Sequence, residues 1–400
     1  MSGELRGDAR PPVAFVVQRY GTEVAGGSES LARAVAERLA SDYRVTVFTT
    51  CARDYVTWRN ELPAGTERIA GVEVRRFPTA QERDLEAFNA FSEELYARTH
   101  TGEEELAWLD RQGPYVPRLV EQLEADRDRF RAVLFFTYLY FPTYWGLRAA
   151  PARSILIPTA HDEPPLRFRI YEAVFATPRA MAFCSAPEEE LVRSRFRLGA
   201  IPTTVAGIGV EAPEAPDVEA FRARHGVDAP YALYAGRVDA GKGCEEMIAF
   251  YDRYRRASPG ALELLLIGKL AMSVPRVPGV RYLGYLSEED KAAALAGAGA
   301  VICPSPYESL SIVLLEALAL GTPALASARS PVLVDHCKRS NGGLYYQDAD
   351  EFAEALDLIV REPRLRAALG EAGRAYVREN YRWEAVLGRY RSLIEAVSRP

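Results

Sequence analysis

Two glutamates eight positions apart, Glu308 and Glu316, stand in the run PSPYESLSIVLLEALAL at 304–320. The preceding AVIC reads as a buried strand, so Glu308 falls in a loop and Glu316 inside the helix that follows. Around Glu316 the helix is apolar: Ile312, Val313, Leu314, Leu315, Ala317 and Leu318. A carboxylate there is costly unless hydrogen-bond donors reach it, and adjacent ribose hydroxyls are such donors. Eight helical positions cover about 12 Å and about 80°, at 1.5 Å and 100° per residue. That is the reach from a sugar ring to the ribose of an extended nucleotide-sugar. Its diphosphate would meet the helix N-terminus, where the amides of Ser311 and Ile312 favour an anion. The purely structural alternative has Glu308 supporting an N-cap and Glu316 paired with a core arginine.

A second pattern, YALYAGRVDAGKG at 231–243, runs from a strand into Gly236, Arg237 and Lys242, the lysine flanked by Gly241 and Gly243. Glycines allow a tight turn, and two cations mark where an anion would lie. Charge building on a departing diphosphate could be stabilised there without a metal ion; the alternative is a solvated loop. A third pattern, VAFVVQRYGTEVAGGSES, places Gly26 and Gly27 after the first strand, with Ser28 capping a helix. Such a loop permits close approach to a phosphate or sugar. It does not spell GxGxxG, and the second strand ends FTT without an acidic residue for a ribose. Both absences count against a dinucleotide-dependent oxidoreductase. His161 and Asp162 follow a strand end in ILIPTAHDEPP. The histidine could hydrogen-bond a donor sugar, or merely satisfy its loop. The Asp-x-Asp triplets at 126–128 and 348–350 lie in a charged helical run and at a helix N-cap. Neither is expected to hold a metal ion.

Short apolar runs alternate with helix-length amphipathic stretches, which indicates βαβ units and a parallel sheet. Strands are expected at 13–17, 44–49, 72–77, 132–136, 154–157 and 181–184, then at 231–235, 262–267, 281–283, 300–303 and 324–326. A chain of 400 residues exceeds the usual limit of one core. The expectation is α/β: two doubly wound Rossmann-like domains facing across a cleft, with ligands at the carboxyl ends of the strands. The Pro-, Gly- and acid-rich GIGVEAPEAPDVEA reads as the linker. It sets an acceptor-binding domain at 1–206 and a nucleotide-sugar-binding domain at 207–380, with a closing helical segment at 381–400. Between the third and fourth strands, 82–131 is an acidic helical stretch in which Phe88, Phe91 and Leu95 recur at helical spacing. It reads as an amphipathic helix on its own core, with an acceptor-binding insertion as the alternative.

A formal charge of −6 argues against a nucleic-acid partner. The five scattered cysteines have no zinc-finger or redox spacing and read as reduced thiols of a cytoplasmic protein. The polar opening MSGELRGDARPP lacks the apolar core of a secretory signal. No window reaches the roughly 18 apolar residues of a membrane span. Arg193, Arg195, Phe196 and Arg197 could touch an anionic lipid surface at the inner face of the membrane if the acceptor is lipid-linked; a solvated helix face is the simpler reading.

Together these motifs, in this order, resemble a retaining family 4 glycosyltransferase of the GT-B fold. The resemblance covers nearly the whole chain: the early glycine loop, the glutamate pair with GTPALAS behind it, SNGGLYYQDAD, and the closing YRWEAVLGRYRSLI. It implies that Arg237 and Lys242 hold the diphosphate, assisted by the amides of Ser311 and Ile312. Glu316 would hold the ribose, and Glu308 the hydroxyls of the donor sugar. Gly27 would approach the phosphate or acceptor, His161 would lie beside the donor sugar, and the last helix would return to the first domain. Family members mostly need no metal and no cofactor beyond the nucleotide-diphosphate-sugar co-substrate. Two departures stand out. Ser309, Leu310 and Ser311 occupy positions where the family often has Gly-Phe-Gly, and Gly207-Ile208-Gly209-Val210-Glu211 replaces a common Asn-Gly-Val-Asp.

The implied reaction moves a hexose-type sugar to a hydroxyl of a glycan, lipid-linked or small-molecule acceptor. Retention without an obvious nucleophile implies front-face attack. Two rivals share the frame: a nucleotide-sugar epimerase, which needs further acid–base groups, and a non-catalytic nucleotide-sugar-binding protein, which needs no diphosphate clamp.

Overall fold

Runs such as VAFV and AVLFF have no polar member, and VTVF has only Thr46, so both faces of the strands they form must be covered, which is the condition of a parallel sheet between helices. In the computed structural model, which describes residues 9–24, 26–258 and 262–398, they become the centre of an eight-stranded sheet. Residues 1–8 of the polar opening and Ala25 of the glycine loop lie outside the described residues. The strands are β1 (Pro12–Val16), β2 (Arg44–Thr50), β3 (Gly65–Ile69), β4 (Val72–Phe77), β5 (Ala132–Phe136), β6 (Ser154–Ile157), β7 (Ala180–Phe183) and β8 (Thr203–Val205). Their order is β3-β4-β2-β1-β5-β6-β7-β8. All pairs are parallel except β3 with β4. Phe135, Phe183, Trp108 and Phe175 are fully covered in the core on this sheet.

The 82–131 stretch is broken rather than continuous, into α-helices Leu85–Ala97, Gly102–Gln112 and Pro117–Asp126 and a 3-10 turn at Arg127–Arg129. The breaks have local causes. Thr101 and Glu104 form a reciprocal capping box, Gly113 closes the second helix, and Pro117 opens the third. Phe88 and Leu95 are buried on the unit's own core. Phe91 packs against that core with the Arg111 guanidinium 4.1 Å over its ring.

The second sheet has six parallel strands: β9 (Tyr231–Ala235), β10 (Glu263–Ile267), β11 (Val280–Gly284), β12 (Ala300–Cys303), β13 (Ala324–Ser327) and β14 (Gly343–Tyr346). Their order is β11-β10-β9-β12-β13-β14. The chain divides into two compact units, Met1–Ile208 with Val386–Pro400, and Gly209–Ala385. These divisions lie two and five residues beyond the sequence boundaries at 206 and 380. Three helices close the chain, Ala349–Arg361, Pro363–Asn380 and Trp383–Ser398. The last is held within the first unit by Arg391 on Asp42 (2.6 Å), Arg389 on the Ala206 carbonyl and Ser398 on the Arg131 carbonyl.

In each sheet the chain reverses its winding direction once. The switch falls between β1 and β5 in the first unit and between β9 and β12 in the second. Loops leaving the carboxyl ends of strands at such a point cannot cover one another, and a crevice opens there.

Candidate functional site

The second unit places the loops after β9 and β12 side by side at its switch point. Gly243, at φ 75°, explains how closely they meet: a Cβ there would lie 2.5 Å from the Pro304 carbonyl oxygen. Lys242 consequently reaches across, its Nζ 2.9 Å from Glu308 Oε1. Asp239 organises the first loop. One of its oxygens accepts from the Lys242 amide at 2.9 Å, and the other pairs with the Arg237 guanidinium. Arg237 and Lys242 are each about one-third exposed, at 37% and 35%, so both remain within reach of a ligand. Gly236 leads into this loop, its amide bonded to the Ile267 carbonyl at 2.9 Å.

After β12 the helix begins only at Ile312 and runs to Ala319. Glu308 therefore lies in the loop, and the reach reckoned over eight helical positions does not apply to its first half. Ser311 interrupts the helix: its φ of 65° and ψ of 76° are left-handed, a region that a side chain bearing a Cβ resists. As the cap, Ser311 offers no side-chain acceptor to the helix, and first-turn amides have no partner inside a helix. Glu316 sits one turn in. Its Oε1 pairs with Lys291 Nζ at 3.0 Å, so the partner is a lysine and not the core arginine of the structural alternative. Its Oε2 is shut off from solvent with no hydrogen-bond partner among the described residues. Burial raises the Glu316 carboxyl above its ordinary range, against the opposing pull of Lys291. An acceptor left unmade in this way costs about 1–3 kcal/mol, and a ligand's hydroxyls would remove that cost.

In the first unit a buried carboxylate organises the glycine loop, while Gln18 Oε1 beside it has no hydrogen-bond partner among the described residues. The buried Glu29 carboxylate accepts from Arg19 Nε and Gln18 Nε2, both at 2.9 Å, and from Ser28 Oγ at 2.9 Å. Gly26 is required by this cluster, because a Cβ would meet Glu29 Oε2 at 2.2 Å. Ser28 lies inside the helix Gly27–Leu39, whose N-cap is Gly26; its hydroxyl serves Glu29 and does not cap the helix. Around Gly27 there is open space.

His161 follows β6 and is 31% exposed, with Nε2 3.3 Å from Glu163 Oε2. Glu163 is fixed in turn by the buried Tyr138 hydroxyl at 2.8 Å. Thr137 and Thr159, at the ends of β5 and β6, both take positive φ (68° and 48°) and share a 3.0 Å hydrogen bond. Such strain in β-branched residues clusters where function holds it. Beneath His161 the Glu188 carboxylate, buried in the helix Ala186–Arg195, accepts from the Ala160 and Cys184 amides.

Asp126 pairs with Arg75 and Arg129, Asp348 caps the helix Ala349–Arg361, and Asp350 pairs with Arg253. Arg193 and Arg195 pair with Glu189 and Asp162. Sequence reasoning missed Asp239, Lys291, Glu163 and Glu188, whose roles depend on folding. It also missed His336, for which a signal existed: a histidine on the apolar side of a helix, in a chain with four.

Residues 217–376 match the family model for glycosyl transferases group 1, a span that contains Arg237, Lys242, Glu308, Ser311, Ile312 and Glu316. Glycogen synthase of Mycobacterium tuberculosis is 28% identical over 215 residues, 51% of this chain and 50% of that protein. The chain thus spans about half the length of the curated relatives it matches. Sucrose-phosphate synthase of Thermosynechococcus elongatus superposes with a TM-score of 0.72 at 22% identity, over 97% of this chain and 100% of that one. HepE of Anabaena, solved in complex with UDP-glucose, gives a TM-score of 0.68 at 14% identity, over 97% and 99%. The chain has the GT-B fold, and its residues 217–376 are similar to the glycosyl transferases group 1 domain.

Proposed function

We propose that the protein is a retaining, family 4 glycosyltransferase, moving a hexose-type sugar from a nucleoside-diphosphate-sugar to an acceptor hydroxyl without a metal ion. The observation that carries this reading is Glu316 Oε2, buried and without a donor among the described residues. It lies on the same short helix whose N-terminus follows the Lys242–Glu308 pair. Ribose hydroxyls donate to Glu316. The diphosphate takes the amides of Ser311 and Ile312, with Arg237 and Lys242 supplying the countercharge. As Lys242 turns to phosphate, Glu308 is released to accept from the donor sugar's hydroxyls. In the first unit Glu163 holds the partly exposed His161 ring, a group able to hydrogen-bond a sugar hydroxyl.

The acceptor oxygen attacks the anomeric carbon on the face from which the diphosphate departs. The bond from that carbon to the phosphate oxygen breaks, and this oxygen takes the acceptor's proton. Products are a glycoside of retained configuration and a nucleoside diphosphate. Arg237, Lys242 and the helix amides act where charge develops, which is the largest kind of catalytic contribution. No helix among the described residues is long and apolar enough to cross a membrane, and five buried thiols support a cytoplasmic setting.

A panel of nucleotide-sugars tests the reading, scored by thermal stabilisation and by diphosphate release with and without chelator. Chelator-resistant release from one donor, with a retained anomeric product by NMR, is expected. An inverted product contradicts the retaining mechanism, and silence toward every donor and free nucleotide removes the transferase reading.

A further inference from the structure

His336 is a buried titratable group that the chemistry above does not use. It lies in the helix Pro331–Ser340 with no solvent exposure. Nε2 is 2.8 Å from the Leu310 carbonyl oxygen, and Nδ1 is 3.1 Å from the Tyr376 hydroxyl. A carbonyl only accepts, so Nε2 carries the proton and Nδ1 accepts from Tyr376. Tyr376 then takes its own hydrogen bond from Tyr381, 3.3 Å away. The chain of bonds runs one way, from Tyr381 through Tyr376 and the neutral imidazole to Leu310. Burial keeps the ring neutral, lowering its pKa to about 4.

What this chain holds is the peptide between Leu310 and Ser311. Carbonyl and amide of one trans peptide point in opposite directions. Fixing the Leu310 oxygen toward His336 therefore turns the Ser311 N–H away from His336. The following residue is the one held at φ 65° without being glycine, so the peptide would relax to another orientation if released.

We infer that His336 is a positioning residue, which through the Leu310 carbonyl aims the Ser311 amide at the diphosphate of a nucleotide ligand. The inference rests on the donor site proposed above. Its consequence is selective: the diphosphate contact depends on His336, and the ribose contact at Glu316 does not.

The test compares binding of a nucleoside with binding of its diphosphate, using whichever base the wild type prefers. His336→Gln places an amide N–H near Nε2 and keeps the bond to Leu310. His336→Asn places it near Nδ1 and loses that bond while remaining polar. The diphosphate's advantage over the nucleoside is expected to fall roughly tenfold in His336→Asn and to persist in His336→Gln. Adding Ser311→Gly to His336→Asn makes the left-handed turn available at little cost and restores part of the advantage. An unchanged advantage in folded His336→Asn, or an equal loss in both variants, overturns the inference. A wild type that binds neither ligand overturns the donor site itself, which separates the two failures.

Discussion

Two helices begin beside a switch-point strand, one after Gly26 in the first unit and one after Ser311 in the second. At the first, Arg19, Gln18 Nε2 and Ser28 all donate to Glu29, with Gly26 making room for them, and the oxygen left without a partner among the described residues is that of an amide, Gln18 Oε1. At the second, the cap offers no acceptor and Glu316 keeps an oxygen without a donor among the described residues. The carboxylate in the loop with the more familiar glycines is thus met within the protein. The loop without them is unfinished and stands ready for a ligand. An unmet carboxylate oxygen, rather than glycine content, marks where a ligand's hydroxyls belong.

The largest expected effects separate the two loops by kind. Glu29→Ala takes the carboxylate away from the buried Arg19 guanidinium and should cost about 3–5 kcal/mol of stability, read by denaturant unfolding. Lys242→Ala removes one partner of a half-exposed pair and should leave stability within about 1 kcal/mol. Turnover should nonetheless fall roughly 10²–10³-fold. Equal stability losses in the two variants would erase the contrast.

A second contrast is in pH. Burial raises Glu188 from 4.5 to about 7, against the opposing bonds from the Cys184 and Ala160 amides. The native first unit therefore holds that proton more tightly than the unfolded chain. Its contribution is full below pH 4.5 and is lost as pH rises through 7. His336 runs the other way, lowered from 6.5 to about 4 by burial. Its contribution is full above pH 6.5 and is lost as pH falls toward 4. Each amounts to roughly 3 kcal/mol. Hydrogen exchange, read separately for each unit from pH 4 to 8, should show opposite slopes. Glu188→Gln should flatten one slope and His336→Gln the other; slopes that survive both substitutions would remove the assignment.

Glu316→Gln should weaken nucleotide binding roughly tenfold or more while leaving the ligand-free protein no less stable, since it removes a buried charge that is only half paired. Calorimetric titration and thermal unfolding of the same sample check both halves. Ser311→Gly is the smallest change, a gain of up to about 1 kcal/mol from relieving the left-handed serine, measured by unfolding with activity retained.

How much of this was legible beforehand follows from where each signal resides. β1, β5, β9 and β12 were readable because a central parallel strand is almost wholly apolar, and β2 because its Val45, Val47 and Phe48 are joined by β-branched threonines. β3 was not, because its GTERI is an exposed, charged edge; β8 is only three residues long, and β14 is an edge strand with Tyr345 exposed. Glu308, Glu316, Arg237 and Lys242 were readable because each pair falls within one loop or one loop and helix. Lys291 and His336 act on residues 25 and 26 positions away, and no local spacing records that. Gly26 serves a carboxylate of its own unit, which only the folded loop discloses.

The account stands most directly on Glu316 Oε2 as the acceptor for ribose hydroxyls. The decisive measurement titrates wild type and Glu316→Gln with the preferred nucleoside diphosphate and with its 2′,3′-dideoxy analogue. The account predicts that removing the hydroxyls weakens binding to wild type roughly tenfold or more and hardly changes binding to Glu316→Gln. Equal losses in the two proteins would mean the hydroxyls are read elsewhere, and the unpaired oxygen would not mark the donor site.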